Sequence, residues 1–195
     1  MSSVVLLWLY TLAFAVVHSL MATNSLKTKL YAKGLAVHHY RLLYSVFGMM
    51  TTAIWLWAIY QLADAPLYQV DGMLRYLLYA MQILGLMIVM AAFIPIDGAV
   101  FLGLKKAEQS ADPLIIQGIY RYIRHPMYSG FMLVLLAKSE QTEVGLHFAL
   151  AVSLYFIIGS TLEEKRMLAE HQDYAEYKLR VGAFIPKLFS RSKDA

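Results

Sequence analysis

Four long apolar runs limit what this chain can fold into. Residues 4–22, 42–63, 73–96 and 144–162 are almost free of charge, and each reaches the length of about 20 residues that crosses a hydrocarbon core as a helix. A bilayer offers no partner to open backbone N–H and C=O groups, so runs of this kind must satisfy their own backbone as helices. The rest of the chain cannot offset them. Hydrophobic residues make up 59% of the 195 and charged residues 15%, with mean hydropathy +0.54, a balance foreign to soluble domains. The first run lacks a basic leader and a small-x-small cleavage site, so it reads as a retained helix, not a signal peptide.

A fifth apolar stretch, 126–137, is short. At 1.5 Å per residue it is about 18 Å long, and it reads as one arm of a shallow hairpin with the helix at 144–162, turning at Lys138 to Glu143. The expected fold is therefore all-α and integral to the membrane, with about five transmembrane helices. Beyond them, Glu163 to Leu179 reads as an amphipathic helix carrying Met167, Leu168, Tyr174 and Tyr177, ended by Gly182 and Pro186. No internal repeat or second domain is visible, so residues 1–195 read as one domain. Three N-terminal helices occupy 1–96 and the polar motifs fall in 97–187.

The charges set an orientation. Fifteen of the seventeen Lys and Arg residues fall in 27–41, 105–124 and 165–193, which leaves Arg75 and Lys138 for the other side. The positive-inside rule then places the N-terminus outside and the long loop and tail in the cytoplasm. A bacterial inner membrane is the expected location. The basic residues sit between apolar segments, not along one face, so no nucleic-acid partner is expected. There is no cysteine, which excludes disulfides, thiolate metal sites and a cysteine nucleophile. No histidine pair falls with carboxylates at metal-ligand spacing, so no metal is expected.

Polar chemistry concentrates in one place, Gly118 to Gly130. Two arginines, a histidine and three tyrosines gather where a polar loop meets an apolar helix. Pro126, lacking an N–H and with φ preset, suits the first turn of that helix. Tyr and Arg also anchor ordinary membrane proteins at headgroup level, but Tyr120, Arg124, His125, Pro126 and Tyr128 within nine residues are denser than anchoring requires. Glu163-Glu164, directly after the last run, either complements a helix N-terminus or supplies the carboxylates that a cationic ligand needs. His18, within the first helix, reads as a snorkelling or neighbour-bonded side chain.

Tyr120-x-x-x-Arg124-His125-Pro126-x-Tyr128-x-Gly130, then Glu163-Glu164, Tyr174-x-x-Tyr177-Lys178-x-Arg180-Val181 and Phe184-Ile185-Pro186, resembles the isoprenylcysteine carboxyl methyltransferase family. That family belongs to a wider group with the phospholipid N-methyltransferases. The N-terminal half, in His18 to Ala22, Tyr40-Arg41-Leu42-x-Tyr44 and Asp97 to Leu104, resembles the branch with methanethiol S-methyltransferases and NnrU-type proteins. The resemblance implies an integral membrane enzyme that uses S-adenosylmethionine. The cofactor would lie in a cytoplasmic pocket built by the loop before helix four, the last two membrane helices and the C-terminal amphipathic helix. It implies cofactor contacts from Leu114, Ile115, Tyr120, His125, Pro126, Met127, Tyr128, Glu163 and Glu164, and catalytic roles for Arg124, His125, Glu164 and Arg180. The family's arginine just before the glutamates is absent here, where Gly159-Ser160-Thr161-Leu162 stands, so Arg180 or Arg166 takes its place in this reading.

The acceptor implied is a lipophilic or small molecule entering from the bilayer, a thiol or an isoprenylcysteine-like carboxylate. A phospholipid or amine acceptor, a non-catalytic relative and a sterol-type reductase of shared architecture are the alternatives. A transporter is disfavoured by the missing inverted repeat.

Overall fold

The computed structural model describes residues 1–106 and 114–187. Arg191 and Lys193, counted above among the tail charges, lie outside these residues. In chain order the helices are α1 (Ser3–Ala22), α2 (Asn24–Ala32), α3 (Val37–Tyr60), α4 (Met73–Phe93), α5 (Gly98–Phe101), α6 (Pro126–Leu136), α7 (Glu143–Glu170) and α8 (Tyr174–Arg180). A 3₁₀ turn covers Gly118–Arg121, and two short strands, β1 (Pro66–Gln69) and β2 (Glu140–Thr142), pair with each other.

Among the described residues, α1, α3, α4 and α7 are long and apolar enough to cross a bilayer. The chain is thus an integral membrane protein built mostly of helix. Helix α6 is apolar but has only 11 residues, about 16 Å of rise, in keeping with the short arm read from its sequence. Several features differ from expectation, among them the short helices α2 and α5, which no apolar run announced. The strands β1 and β2 are too short to show an alternating pattern against their surroundings. And α7 does not end at the membrane boundary: it runs unbroken through Glu163 and Glu164 to Glu170, so the amphipathic segment divides into the end of α7 and a separate seven-residue α8. Charged residues continue a helix as readily as apolar ones, so the change of polarity at 162 marked no boundary.

The chain forms two compact units, Met1–Leu67 with Asp97–Ser110 and Thr142–Ala151, and Tyr68–Ile96 with Ala111–Gln141 and Val152–Ala195. In the first, α1 packs along α3. Leu7, Val144 and Ala151 form its buried cluster, with Trp8, Ile59, Leu62 and Phe148 against them. The polar side chains of α1 are used inside the unit: Thr11 accepts from Trp55 Nε1 (3.2 Å), and His18 Nε2 meets the Tyr44 hydroxyl (2.8 Å). The start of α7 is pinned by Asp64, whose Oδ1 accepts from the Val144 N–H, and by the Ala65 carbonyl, which accepts from Glu143 N–H.

In the second unit α4 and α6 lie backbone to backbone. A β-carbon at Gly130 would stand 2.5 Å from the Gly85 carbonyl oxygen, and one at Gly85 would stand 2.8 Å from that of Gly130. Only glycine permits this approach, the means by which helices associate where lipid removes the hydrophobic drive. Gln82 Nε2 donates to the Val134 carbonyl across the same contact (3.1 Å). This crossing fixes α6, and with it the polar corner at its foot.

Candidate active site

The corner is held from below by the C-terminal segment. The N–H groups of Arg124 and His125 donate to the Gly182 and Ala183 carbonyls, both at 2.9 Å, next to a parallel bridge between Ile123 and Gly182. Ser129 Oγ donates to the Phe184 carbonyl at 2.8 Å. Residues 181–184 therefore form a strap under the loop that leads into α6. The strap turns so tightly that a β-carbon on Gly182 would fall 1.9 Å from the Ile185 carbonyl oxygen. Pro126 begins α6 as its sequence foretells, with His125 at the cap (φ −121°, ψ 60°).

Above the strap sits Glu164, its side chain 10% exposed. Arg124 donates to its Oε1 through Nη2 (2.6 Å) and Nε (2.8 Å), and His125 Nε2 lies 3.0 Å from the same oxygen. Lys178 Nζ lies 2.8 Å from Oε2. Arg124 turns its remaining nitrogen, Nη1, to the carbonyls of Lys178 (3.1 Å) and Val181. A buried carboxylate persists only when paired and hydrogen-bonded, and this one has three cationic or imidazole partners.

Glu163, one residue back on α7, has a different setting. Its side chain is 38% exposed, 3.8 Å from His125 Nδ1, and its Oε2 accepts from the Tyr128 hydroxyl (3.2 Å). Tyr128 is stacked between two rings, His125 (centroids 5.6 Å, 8°) and Phe156 (4.6 Å, 12°). Phe184 also lies against His125, with ring centroids 5.7 Å apart and planes tilted by 35°. The arrangement presents a partly exposed carboxylate beside aromatic faces at the first turn of a helix.

The structure thus brings Arg124, His125, Pro126, Tyr128, Glu163 and Glu164 together. Tyr120 joins through its backbone, whose carbonyl accepts from the Tyr177 hydroxyl at 2.6 Å. Burial, and then the charge of Glu163, push its own phenol above the usual value. Leu114 packs with Met167 on the buried trio Tyr174, Tyr177 and Val181; Ile115 and Met127 are half-buried. Arg180 does not join. It is 65% exposed and pairs with Glu176 on its own helix at 3.4 Å.

Lys178 is the basic residue of α8 that reaches the site. Tyr174, Tyr177 and Val181 define the inward stripe, and at about 100° per residue Lys178 falls about 40° past one side of it and Arg180 about 60° past the other, so phase alone favours Lys178 only slightly. Gly182 was legible only as the end of the amphipathic helix, and Phe184 only as part of the terminal motif.

The sequence profile of the NnrU protein family matches residues 6–180, a span that contains every side chain of the Glu164 cluster. The chain belongs to the NnrU protein family. Among curated relatives, methanethiol S-methyltransferase 2 of Bradyrhizobium diazoefficiens is 30% identical over 188 residues, covering 92% of this chain and 72% of the relative. Methanethiol S-methyltransferase of Pseudomonas deceptionensis is 32% identical, over 90% and 70%. The enzyme of the same name from Mycobacterium tuberculosis is 28% identical, over 89% and 74%. No solved structure matches this NnrU-family chain.

Proposed function

We propose that this chain is an S-adenosylmethionine-dependent membrane methyltransferase whose acceptor is a small or lipophilic thiol, with its site on the cytoplasmic side. The observation that carries the reading is that relatives similar over about nine-tenths of the chain are methanethiol S-methyltransferases by name. The residues present fit such a cofactor: Glu163 offers a partly exposed carboxylate for its ammonium or ribose, and the stacked rings of Tyr128 and Phe156 suit a cation. A cation over such a face gains about 0.5–2 kcal/mol. The first turn of α6, at Met127 and Tyr128, suits its carboxylate.

When bound, this cofactor supplies a methyl group on a sulfonium for in-line displacement. The chain's own work is alignment, exclusion of water and removal of the thiol proton; alignment alone is worth up to about 7–11 kcal/mol. Arg124 and Glu164 are engaged with each other and with the strap, so their part is to fix His125 and the start of α6. With His125 Nε2 directed at Glu164, Nδ1 is turned to Glu163, and this pair receives the acceptor's proton.

The test is calorimetric titration of detergent-purified protein with S-adenosylhomocysteine, together with headspace detection of dimethyl sulfide made from methanethiol. Binding that weakens in Tyr128→Ala and Glu163→Gln, with turnover by the wild type, is the expected result. A folded wild type that binds nothing, or binds a nicotinamide cofactor instead, overturns it.

A further inference from the structure

On α7, Phe156, Gly159 and Glu163 recur at helical spacing and share one edge. The outer two both touch Tyr128, Phe156 by stacking at 4.6 Å and Glu163 through the hydroxyl at 3.2 Å. Gly159 lies between them, yet among the described residues a β-carbon built there meets no heavy atom within 4 Å apart from the backbone of its own helix. Along this edge Val152 is buried and Tyr155, Phe156, Glu163 and Arg166 are half-buried, while Leu162, three residues on, is exposed. The bare spot is thus an open notch where the half-covered edge that carries Phe156 and Glu163 meets the outward face of Leu154, Ile158 and Leu162. Glycine weakens a helix interior, and among the described residues no close backbone demands it at 159, as one does at Gly85 and Gly130.

We propose that Gly159 keeps open the space for the acceptor's reacting atom and limits the acceptor to a small thiol. The inference rests on the methyltransferase reading above. An aromatic wall suits a sulfur atom, and the carboxylate of Glu163 borders the same notch. There the thiol S–H bond gives its proton to the Glu163–His125 pair. The sulfur lone pair forms the new S–CH₃ bond as the donor's S–CH₃ bond breaks, and the electrons of that bond return to the donor sulfur, leaving a neutral thioether. Each carbon added at 159 takes space from the acceptor.

The experiment compares wild type, Gly159→Ala and Gly159→Val on methanethiol, ethanethiol and propanethiol, with S-adenosylhomocysteine titrated into each. Alanine is expected to raise KM for propanethiol about tenfold or more, the range one methyl group's space commands, and valine to do so for methanethiol. Affinity for S-adenosylhomocysteine and the thermal midpoint should hold, since alanine favours a helix over glycine. A parallel loss of S-adenosylhomocysteine affinity overturns the proposal by giving the notch to the donor. Unchanged kinetics in both variants overturn it by leaving the notch to lipid. A wild type that neither binds nor turns over defeats the methyltransferase reading itself, and this proposal with it.

Discussion

Lys178 Nζ stands 2.8 Å from Glu164 Oε2, and this pair ties α8 to α7. Arg124 holds the other oxygen of Glu164 and returns through Nη1 to the backbone carbonyl of Lys178. The three residues form a closed ring, lysine to glutamate to arginine to lysine backbone, around the entry to α6. Lys187 adds to it by donating to the Lys178 and Leu179 carbonyls at 3.3 and 2.5 Å, capping α8. Adjacent glutamates are thereby separated in role: 100° of helix turns one into the ring and leaves the other at the open edge.

Glu164→Gln should accordingly act on folding. Removing the charge strands Arg124, whose side chain is 7% exposed, and breaking a buried pair costs about 3–5 kcal/mol. Glu163→Gln, at a partly exposed position, should stay within about 0.5 kcal/mol of wild type while weakening S-adenosylhomocysteine. Thermal midpoints and titrations of both variants, side by side, check this. Equal midpoints would break the distinction between the two carboxylates.

Lys178→Met opens the ring at its most exposed member, 42%, so a loss of no more than about 1 kcal/mol is expected. Its sharper effect should be local. The Arg124 and His125 N–H groups, bonded to the strap, should exchange hydrogen faster, and Lys178→Arg should restore their protection. Exchange unchanged in Lys178→Met would mean that the strap is held without the ring.

Much of this architecture was legible in the sequence, and what escaped has physical reasons. The four long helices announced themselves because lipid demands unbroken apolar length, and Pro126 marked the start of α6. The corner motif and Glu163-Glu164 were visible as residue types, and the structure gathers them. Their division of labour was not visible, because it depends on α7 continuing past Leu162 and so fixing which glutamate faces Arg124. Arg180 is the sequence's stand-in for the family's missing arginine, but which basic residue of α8 meets Glu164 was not visible. Lys178 and Arg180 flank the Tyr174–Tyr177 stripe at similar angles, and the structure turns Lys178 to Glu164 and pairs Arg180 with Glu176. The strands β1 and β2 are pairings of distant segments, which no local pattern encodes.

Gly130→Ala tests the crossing that positions α6. The added carbon would stand 2.5 Å from the Gly85 carbonyl oxygen and 3.0 Å from Val89 N, so the helices must separate. Overpacking of this kind costs about 1–3 kcal/mol, read as a lowered thermal midpoint. A midpoint equal to wild type would show that the two helices slide apart freely.

The two buried tyrosines of α8 give the protein an alkaline limit. Burial, and then the charge of Glu164, push the Tyr174 phenol up to about 12; burial, and then Tyr174, push Tyr177 higher still. In the unfolded chain both ionise near the ordinary value of about 10. Below that pH neither state has lost the proton and the fold keeps its full stability. Between about 10 and 12 the unfolded state releases protons that the folded state retains, so stability falls as pH rises. Tyr174→Phe removes one of these groups, and its thermal midpoint should fall less steeply than that of wild type from pH 10 to 12. Tyr177→Phe also loses the 2.6 Å bond to the Tyr120 carbonyl, about 1 kcal/mol at every pH, so its curve should be both lower and flatter. Curves parallel to wild type in both variants would place the alkaline limit elsewhere in the molecule.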